Sequence, residues 1–182
     1  MAISKTKVIT GVNTRLSYFH GWEPTSINNG PERYSVSVLI PKSDTETVKA
    51  INEAIDAAIE EGVAKFGGKK PNKAAIKLPL RDGDTERDDE AYKGHYFINA
   101  NSTTPPQIVD KYVKPILDRN EVYSGCYGRV SVTFYAYNSN GNKGVAAGLG
   151  NVQKLKDGEP LGSRVSAKDE FDAVEAEDDF LS

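Results

Sequence analysis

The sequence is poor in the residues that build metal centres and covalent cross-links. It contains one cysteine, Cys126, and two histidines, so its counts exclude an internal disulfide and a zinc site made of cysteine and histidine. A lone cysteine is typical of a reducing compartment. No apolar run approaches the roughly 18 residues of a membrane-spanning helix, and the first residues lack the apolar core of a secretory signal. These absences predict a cytoplasmic protein without a cofactor, held together by packing alone.

Motifs of common enzyme families are also missing. Neither a phosphate-binding Walker A sequence nor a Gly-x-Ser-x-Gly nucleophile turn occurs, and two histidines make a catalytic triad a poor expectation. One acidic block could hold metal ions for phosphodiester hydrolysis, formed by Asp82, Asp84, Glu86, Asp88, Asp89 and Glu90. Metal-binding carboxylates usually converge from separate strands, whereas these lie in one polar run. We therefore favour a solvated loop and predict no metal site and no enzyme.

Charge is distributed unevenly along the chain. The net charge is -3, but residues 169–182 carry seven acidic and no basic residues. Residues 1–168 therefore contain 23 basic and 19 acidic residues and have a net charge of +4. Six of those acids lie in the 82–90 block. This pattern predicts a cationic body, the alternative being an evenly mixed, solvated surface.

Periodic patterns predict about five strands and one helix. Alternating apolar residues predict strands within 5–20, at 33–40, 95–101 and 127–137, and Asn140-Gly141 predicts a tight turn to a partner strand at 143–155. Ser43 and Glu46 form the pattern of a capping box, and apolar residues three and four apart follow as far as Gly67-Gly68. The fold class is therefore mainly β. These elements suit a small Greek-key barrel of the OB type, which strand count alone does not distinguish from other α+β sheets. We predict a domain over residues 1–166 and a disordered acidic tail over 167–182.

The outward face of the 127–137 strand is unusually aromatic for a solvated surface. It carries Tyr127, Arg129, Tyr135 and Tyr137. Aromatic rings stack on bases of any identity, and arginine neutralises phosphates, so this face predicts binding of single-stranded nucleic acid. The alternative is that the tyrosines pack beneath a loop or helix. Further candidates for DNA contacts are Arg15, Phe19, Phe97, Lys143, Lys154 and Arg164, while Trp22 is interpreted as a core residue.

The acidic tail ends in apolar residues. Asp178 and Asp179 precede Phe180 and Leu181, a combination that suits a basic, apolar pocket on a partner protein. The same charge could occupy the protein's own cationic surface when DNA is absent. The alternative is a disordered end whose apolar residues have no role.

Four segments resemble a family of bacteriophage single-stranded-DNA-binding proteins that was long catalogued as a domain of unknown function. They are residues 33–44 (RYSVSVLIPKSD), 96–101 (YFINAN), 122–130 (VYSGCYGRV) and 148–154 (GLGNVQK), which occur in the family's order. The resemblance covers residues 5–165 and implies an OB fold, sequence-independent binding of single strands, and a role in phage replication or recombination. The tail is similar to those that recruit replication and repair proteins, although it does not end in Pro-Phe as bacterial tails do.

These observations predict a DNA-binding module that coats single strands and has no enzymatic activity. Two alternatives stay open from the sequence. One is a metal-dependent nuclease or recombination enzyme that uses the 82–90 carboxylates. The other is a phage structural or assembly protein.

Overall fold

The computed structural model describes residues 4–26, 29–161 and 171–174, and within these residues the chain forms eight β-strands and two α-helices. The elements are β1 (Lys7–Ile9), β2 (Arg15–Thr25), β3 (Arg33–Pro41), α1 (Thr45–Glu61), β4 (Arg81–Asp82), α2 (Gly83–Glu86), β5 (His95–Ser102), β6 (Ile108–Val109), β7 (Tyr127–Ser139) and β8 (Asn142–Lys156). The predicted mainly β class is confirmed. In the part of the chain that the structure describes, no helix is long and apolar enough to cross a bilayer.

Five strands close into a barrel. The ring runs β2-β3-β5-β8-β7 and returns to β2 through the pair Arg15 and Tyr127. Every pairing in the ring is antiparallel except β5 with β8, where Ala100 lies beside Ala147. A closed five-stranded barrel of this kind is the predicted OB-like architecture. The three short strands extend the ring at its margins: β1 pairs with β7, β4 with β5, and β6 with β8.

The β7–β8 hairpin agrees closely with its sequence pattern. Val130, Val132, Phe134 and Ala136 alternate inward along β7 and are at most 4% exposed. Asn140 and Gly141 both have positive φ, at 52° and 89°, which is the backbone that the shortest twisted hairpin turns require. The Asn-Gly pair therefore sets the register of the two longest strands.

Helix α1 begins and ends differently from the prediction. Its N-cap is Asp44, whose carboxylate accepts hydrogen bonds from the amide and the hydroxyl of Thr47, so the predicted capping box of Ser43 and Glu46 is wrong by one residue. The helix ends at Glu61, and a short 3-10 helix over Val63–Phe66 separates it from the predicted end at Gly67-Gly68. Between the two, Gly62 approaches Ala136 of β7 so closely that a Cβ there would collide with it. Ile51, Ile55 and Ile59 are buried in the main core together with the inward residues of the barrel.

Candidate nucleic-acid interface

A β-bulge in β2 turns one tyrosine outward. Ser17 pairs with Ser37 and His20 with Ser35, so β2 advances three residues while β3 advances two. The extra residue places Tyr18 at φ 45°, a left-handed conformation that is uncommon outside glycine. Its side chain is 58% exposed. Residues held in such sparsely populated conformations cluster at functional sites.

Tyr18 stands at the edge of a groove of about 650 Å³ on the outer face of β2, β3 and β5. The strands supply polar side chains to this groove, and the loop after α2 supplies an arginine; these residues are His20, Arg33, Ser35, Asn99, Asn101 and Arg87. Among the described residues no carboxylate lines it. The groove thus combines an exposed aromatic ring, two guanidinium groups and neutral hydrogen-bonding side chains.

Both arginines are held in place by neighbouring side chains. Arg33 Nη1 donates to Asn101 Oδ1 at 3.0 Å across the sheet. The Arg87 guanidinium lies 5.1 Å from the ring centre of Phe97 and 5.5 Å from that of Tyr92, within the range of cation–π attraction. These contacts neutralise neither cation, so both positive charges are available to an anion in the groove.

The sequence matches the family described as the single-stranded-DNA-binding protein of Enterobacter phage Enc34 over residues 6–181. This chain belongs to the Enc34 family. "Putative protein p50" of Acyrthosiphon pisum secondary endosymbiont phage 1 is 35% identical over 170 residues, covering 88% of this chain and 90% of that protein. The resemblance to phage single-stranded-DNA-binding proteins found in the sequence is therefore confirmed.

Solved structures extend the comparison to the fold. The phage Enc34 single-stranded-DNA-binding protein in complex with single-stranded DNA has a TM-score of 0.74 at 27% identity, covering 86% of this chain and 90% of that one. The gp2.5 single-stranded-DNA-binding protein of bacteriophage T7 has a TM-score of 0.54 at 19% identity, covering 91% of this chain and all of that one. The second likeness shows a shared fold.

The first carboxylates of the acidic block in this Enc34-family chain pair with basic residues of the protein itself. Lys42 Nζ lies 2.8 Å from an Asp82 carboxylate oxygen and 2.7 Å from one of Asp84. Hydrogen bonding to Lys42 is the main cause that lowers the pKa of both carboxyls, and the same bonds raise the pKa of Lys42. Glu86 pairs with Arg81 at 2.8 Å. Among the described residues no group of three or more acidic, histidine or cysteine side chains could hold a metal ion.

Phe97 is a core residue, which corrects its predicted role as a DNA contact. It is 1% exposed and lies edge-on to Tyr92, with ring centres 5.1 Å apart, in a second small core with Leu39. The Tyr92 hydroxyl lies 3.0 Å from Ser37 Oγ and 3.2 Å from Ser17 Oγ, so it donates to one and accepts from the other. This cluster fixes the 83–92 segment on the barrel, and Phe97 therefore has no free face for a base.

Other residues predicted to contact DNA are engaged in contacts with the protein. Arg15 donates to the carbonyls of Gly125 and Glu159, and Arg129 donates twice to Gln153 Oε1. The Tyr127 ring centre lies 5.4 Å from the Arg15 guanidinium and 4.7 Å from the Lys156 ammonium group. Phe19 packs edge-on to Trp22, and Lys154 pairs with Asp157 at 2.6 Å. The sequence interpretation of Trp22 as a residue packed against the core agrees with its position.

Tyr135, Tyr137 and Lys143 lie on the β7–β8 hairpin and not in the groove. Tyr135 is 42% exposed, Tyr137 is half-buried beside Gly144, and Lys143 is exposed. Of the predicted DNA contacts that fall on described residues, none lines the groove. Arg164 and the predicted partner-binding residues Asp178, Asp179, Phe180 and Leu181 lie outside the described residues.

One signal in the sequence could have located the groove. Ser35 and Ser37 on β3 alternate with apolar residues, and Asn99 and Asn101 do the same on β5. Small polar side chains paired across two neighbouring strands leave a shallow, hydrogen-bonding floor, unlike the long charged side chains of a merely solvated face. Tyr18 had no such signal, because a bulge depends on the pairing of two strands.

Proposed function

We propose that this protein binds single-stranded DNA in the groove, without reading its sequence, and coats exposed strands during phage replication or recombination in the bacterial cytoplasm. The observation that carries the proposal is the groove lined by Tyr18, Arg33 and Arg87, to which the described residues contribute no carboxylate. The complex of the Enc34 protein with single-stranded DNA supports it. The role is one of binding, with no chemical step.

The groove chemistry explains how binding would tolerate any sequence. The Tyr18 ring stacks on a base through a π-face that every base possesses. Arg33 and Arg87 contact phosphates, which are the same at every nucleotide. The β7 face, with Tyr127, Arg129, Tyr135 and Tyr137, stays a prediction from the sequence as the alternative contact surface.

Titration of labelled oligonucleotides at two salt concentrations tests this function. We expect single strands to bind more tightly than duplexes of the same sequence, with roughly 4–16 nucleotides covered per OB fold. The logarithm of the affinity should fall against the logarithm of salt with a slope of about -0.7 per phosphate neutralised, because counterions return to the strand. Affinity that does not change with salt, or one short sequence bound in clear preference, would contradict the proposal. Degradation of the strand that requires Mg²⁺ would contradict its non-enzymatic part.

We further propose that residues 1–166 are the DNA-binding domain and that residues 167–182 oppose DNA binding through their charge. Deleting residues 169–182 changes the net charge from -3 to +4. Affinity for single strands should therefore increase, most at low salt, where the Debye length is about 30 Å at 0.01 M. The measurement compares full-length and truncated protein on one oligonucleotide at low and high salt. Equal affinities at low salt would show that the tail has no such effect.

Partner recruitment is the second role that we propose for the tail. Phe180 and Leu181 would enter an apolar pocket on a replication or recombination protein, while the preceding acids pair with basic residues around it.

A further inference from the structure

Strand β1 leaves one edge of the sheet unpaired. The Phe134 amide donates to the Thr6 carbonyl, and the Thr10 amide donates to the Val130 carbonyl, so Thr6, Val8 and Thr10 direct their backbone groups towards β7. Lys7 and Ile9 alternate with them and direct theirs away from β7. The Lys7 amide donates to the Ser4 carbonyl, so this side presents the Lys7 carbonyl and the amide and carbonyl of Ile9. On that side no strand pairs with β1 among the described residues. Ile9 itself is 57% exposed.

A cavity of about 290 Å³ lies between this edge and α1, which also packs against β1. Its inner lining is apolar and consists of Val8, Ala50 and Ala54, of which Val8 and Ala54 are buried. The outer lining is exposed and consists of Lys5, Lys7, Ile9 and Glu53. The site therefore offers backbone groups for strand pairing, an apolar pocket, and a net positive charge from Lys5 and Lys7 against Glu53.

This combination matches an extended peptide in which acids adjoin apolar residues. Strand addition takes its affinity from backbone hydrogen bonds and its specificity from pockets that receive alternate side chains. The last residues of this chain, Asp178-Asp179-Phe180-Leu181, have that composition, and no basic residue follows Lys168. The acids would face Lys5 and Lys7, and an apolar side chain would enter the cavity.

The point at which the described body ends allows the same chain to reach the site. The Leu161 amide donates to the Ser124 carbonyl, which fixes the chain beside a residue three positions before Tyr127, where β7 begins. Ile9 pairs with Ser131, seven residues along from Ser124, a separation of at most ~25 Å. The residues between Leu161 and Phe180 can span ~60 Å when extended. A connection of this length keeps the tail at a high effective concentration, which favours binding within one chain.

We propose that the C-terminal segment of this chain adds as a short strand to the free edge of β1, with Phe180 or Leu181 in the cavity beside Ala50. The contact is between two parts of the protein and is tested without DNA. Its outcome is therefore independent of the proposed binding of single strands.

A nitroxide at the end of the full-length chain would report where the tail lies. Ser182→Cys supplies the attachment point; burial raises the pKa of the Cys126 thiol, which keeps that residue unreactive towards the label. We expect selective loss of amide NMR intensity at residues 5–9 and along α1 near Ala50. Phe180→Ala with Leu181→Ala should restore that intensity although all seven acids remain.

Two substitutions on α1 test the cavity itself. Ala50→Leu fills it and should release the tail, which restores the intensity at residues 5–9. Ala57→Leu adds the same atoms to a half-buried position of α1 that does not line the cavity, and should leave the tail bound. Equal behaviour of the two variants would overturn the assignment of the pocket.

Three other results would overturn the proposal. Intensity lost around Arg33 and Arg87, with β1 unaffected, would place the tail over the groove. Weak loss over the whole basic surface would show attraction by charge without a docking site. Loss at β1 that appears only when nitroxide-labelled and isotope-labelled chains are mixed would assign the segment to a second copy.

Discussion

Replacing Tyr18 by alanine is expected to weaken binding of a single-stranded oligonucleotide by about 1–3 kcal/mol, roughly 5- to 150-fold in the dissociation constant. The ring is 58% exposed at the edge of the groove and makes no core contact that its removal would disrupt. A stacked base would lose its platform, while the fold should keep its stability. Fluorescence anisotropy with one labelled oligonucleotide measures the affinity, and a thermal melt measures the stability.

Two control variants distinguish DNA binding in the groove from DNA binding on the β7 face. Tyr18→Phe keeps the ring and should bind nearly as tightly as the unaltered protein. Tyr135→Ala removes an exposed tyrosine from β7, which lines no part of the groove, and should change the affinity little. If Tyr135→Ala weakened binding and Tyr18→Ala did not, the aromatic face predicted from the sequence would be the DNA-binding surface instead.

The parts of the fold that could be predicted depend on contacts close in sequence. The Asn140-Gly141 turn and the alternation of β7 establish a hairpin between adjacent segments, and the apolar spacing from Ile51 to Ile59 establishes α1. Barrel closure depends on pairs such as Arg15 with Tyr127 and Ala100 with Ala147, which are far apart in sequence. No local pattern specifies those pairs. The strand pattern was compatible with an OB barrel, and it was the family resemblance that implied this fold.

The candidate site was harder to predict because it depends on which outward faces are covered. Alternation along β5 places Phe97, Asn99 and Asn101 on one outer face, and by default that face meets solvent. The 83–92 segment covers the Phe97 half and leaves the asparagine half open. Its acidic composition indicated a solvated loop, but Tyr92 within it is fully buried and anchors it to the sheet. One aromatic residue in a charged run was the only local sign of that packing.

Phe97→Ala should therefore lower the free energy of unfolding by about 3–5 kcal/mol, the range for truncating a buried aromatic ring. The substitution removes the edge-on partner of Tyr92 and leaves a cavity beneath the Arg87 guanidinium. Phe97→Leu keeps most of the apolar volume and should lose only about 1 kcal/mol. Urea denaturation of the three proteins measures the differences.

DNA binding by the same variants separates a core residue from a stacking residue. If Phe97 is in the core, Phe97→Leu should bind single strands almost as well as the unaltered protein, since Tyr18 and Arg33 remain in place. The folded fraction of Phe97→Ala should lose affinity only through displacement of Arg87, and Arg87→Ala alone should then reproduce that loss in a protein of normal stability. A ring that stacked on a base would give the reverse pattern: normal denaturation for both Phe97 variants, and weakened binding whenever the aromatic face is absent. That pattern would reinstate Phe97 as a DNA contact and would show that the 83–92 segment moves away from the barrel when DNA binds.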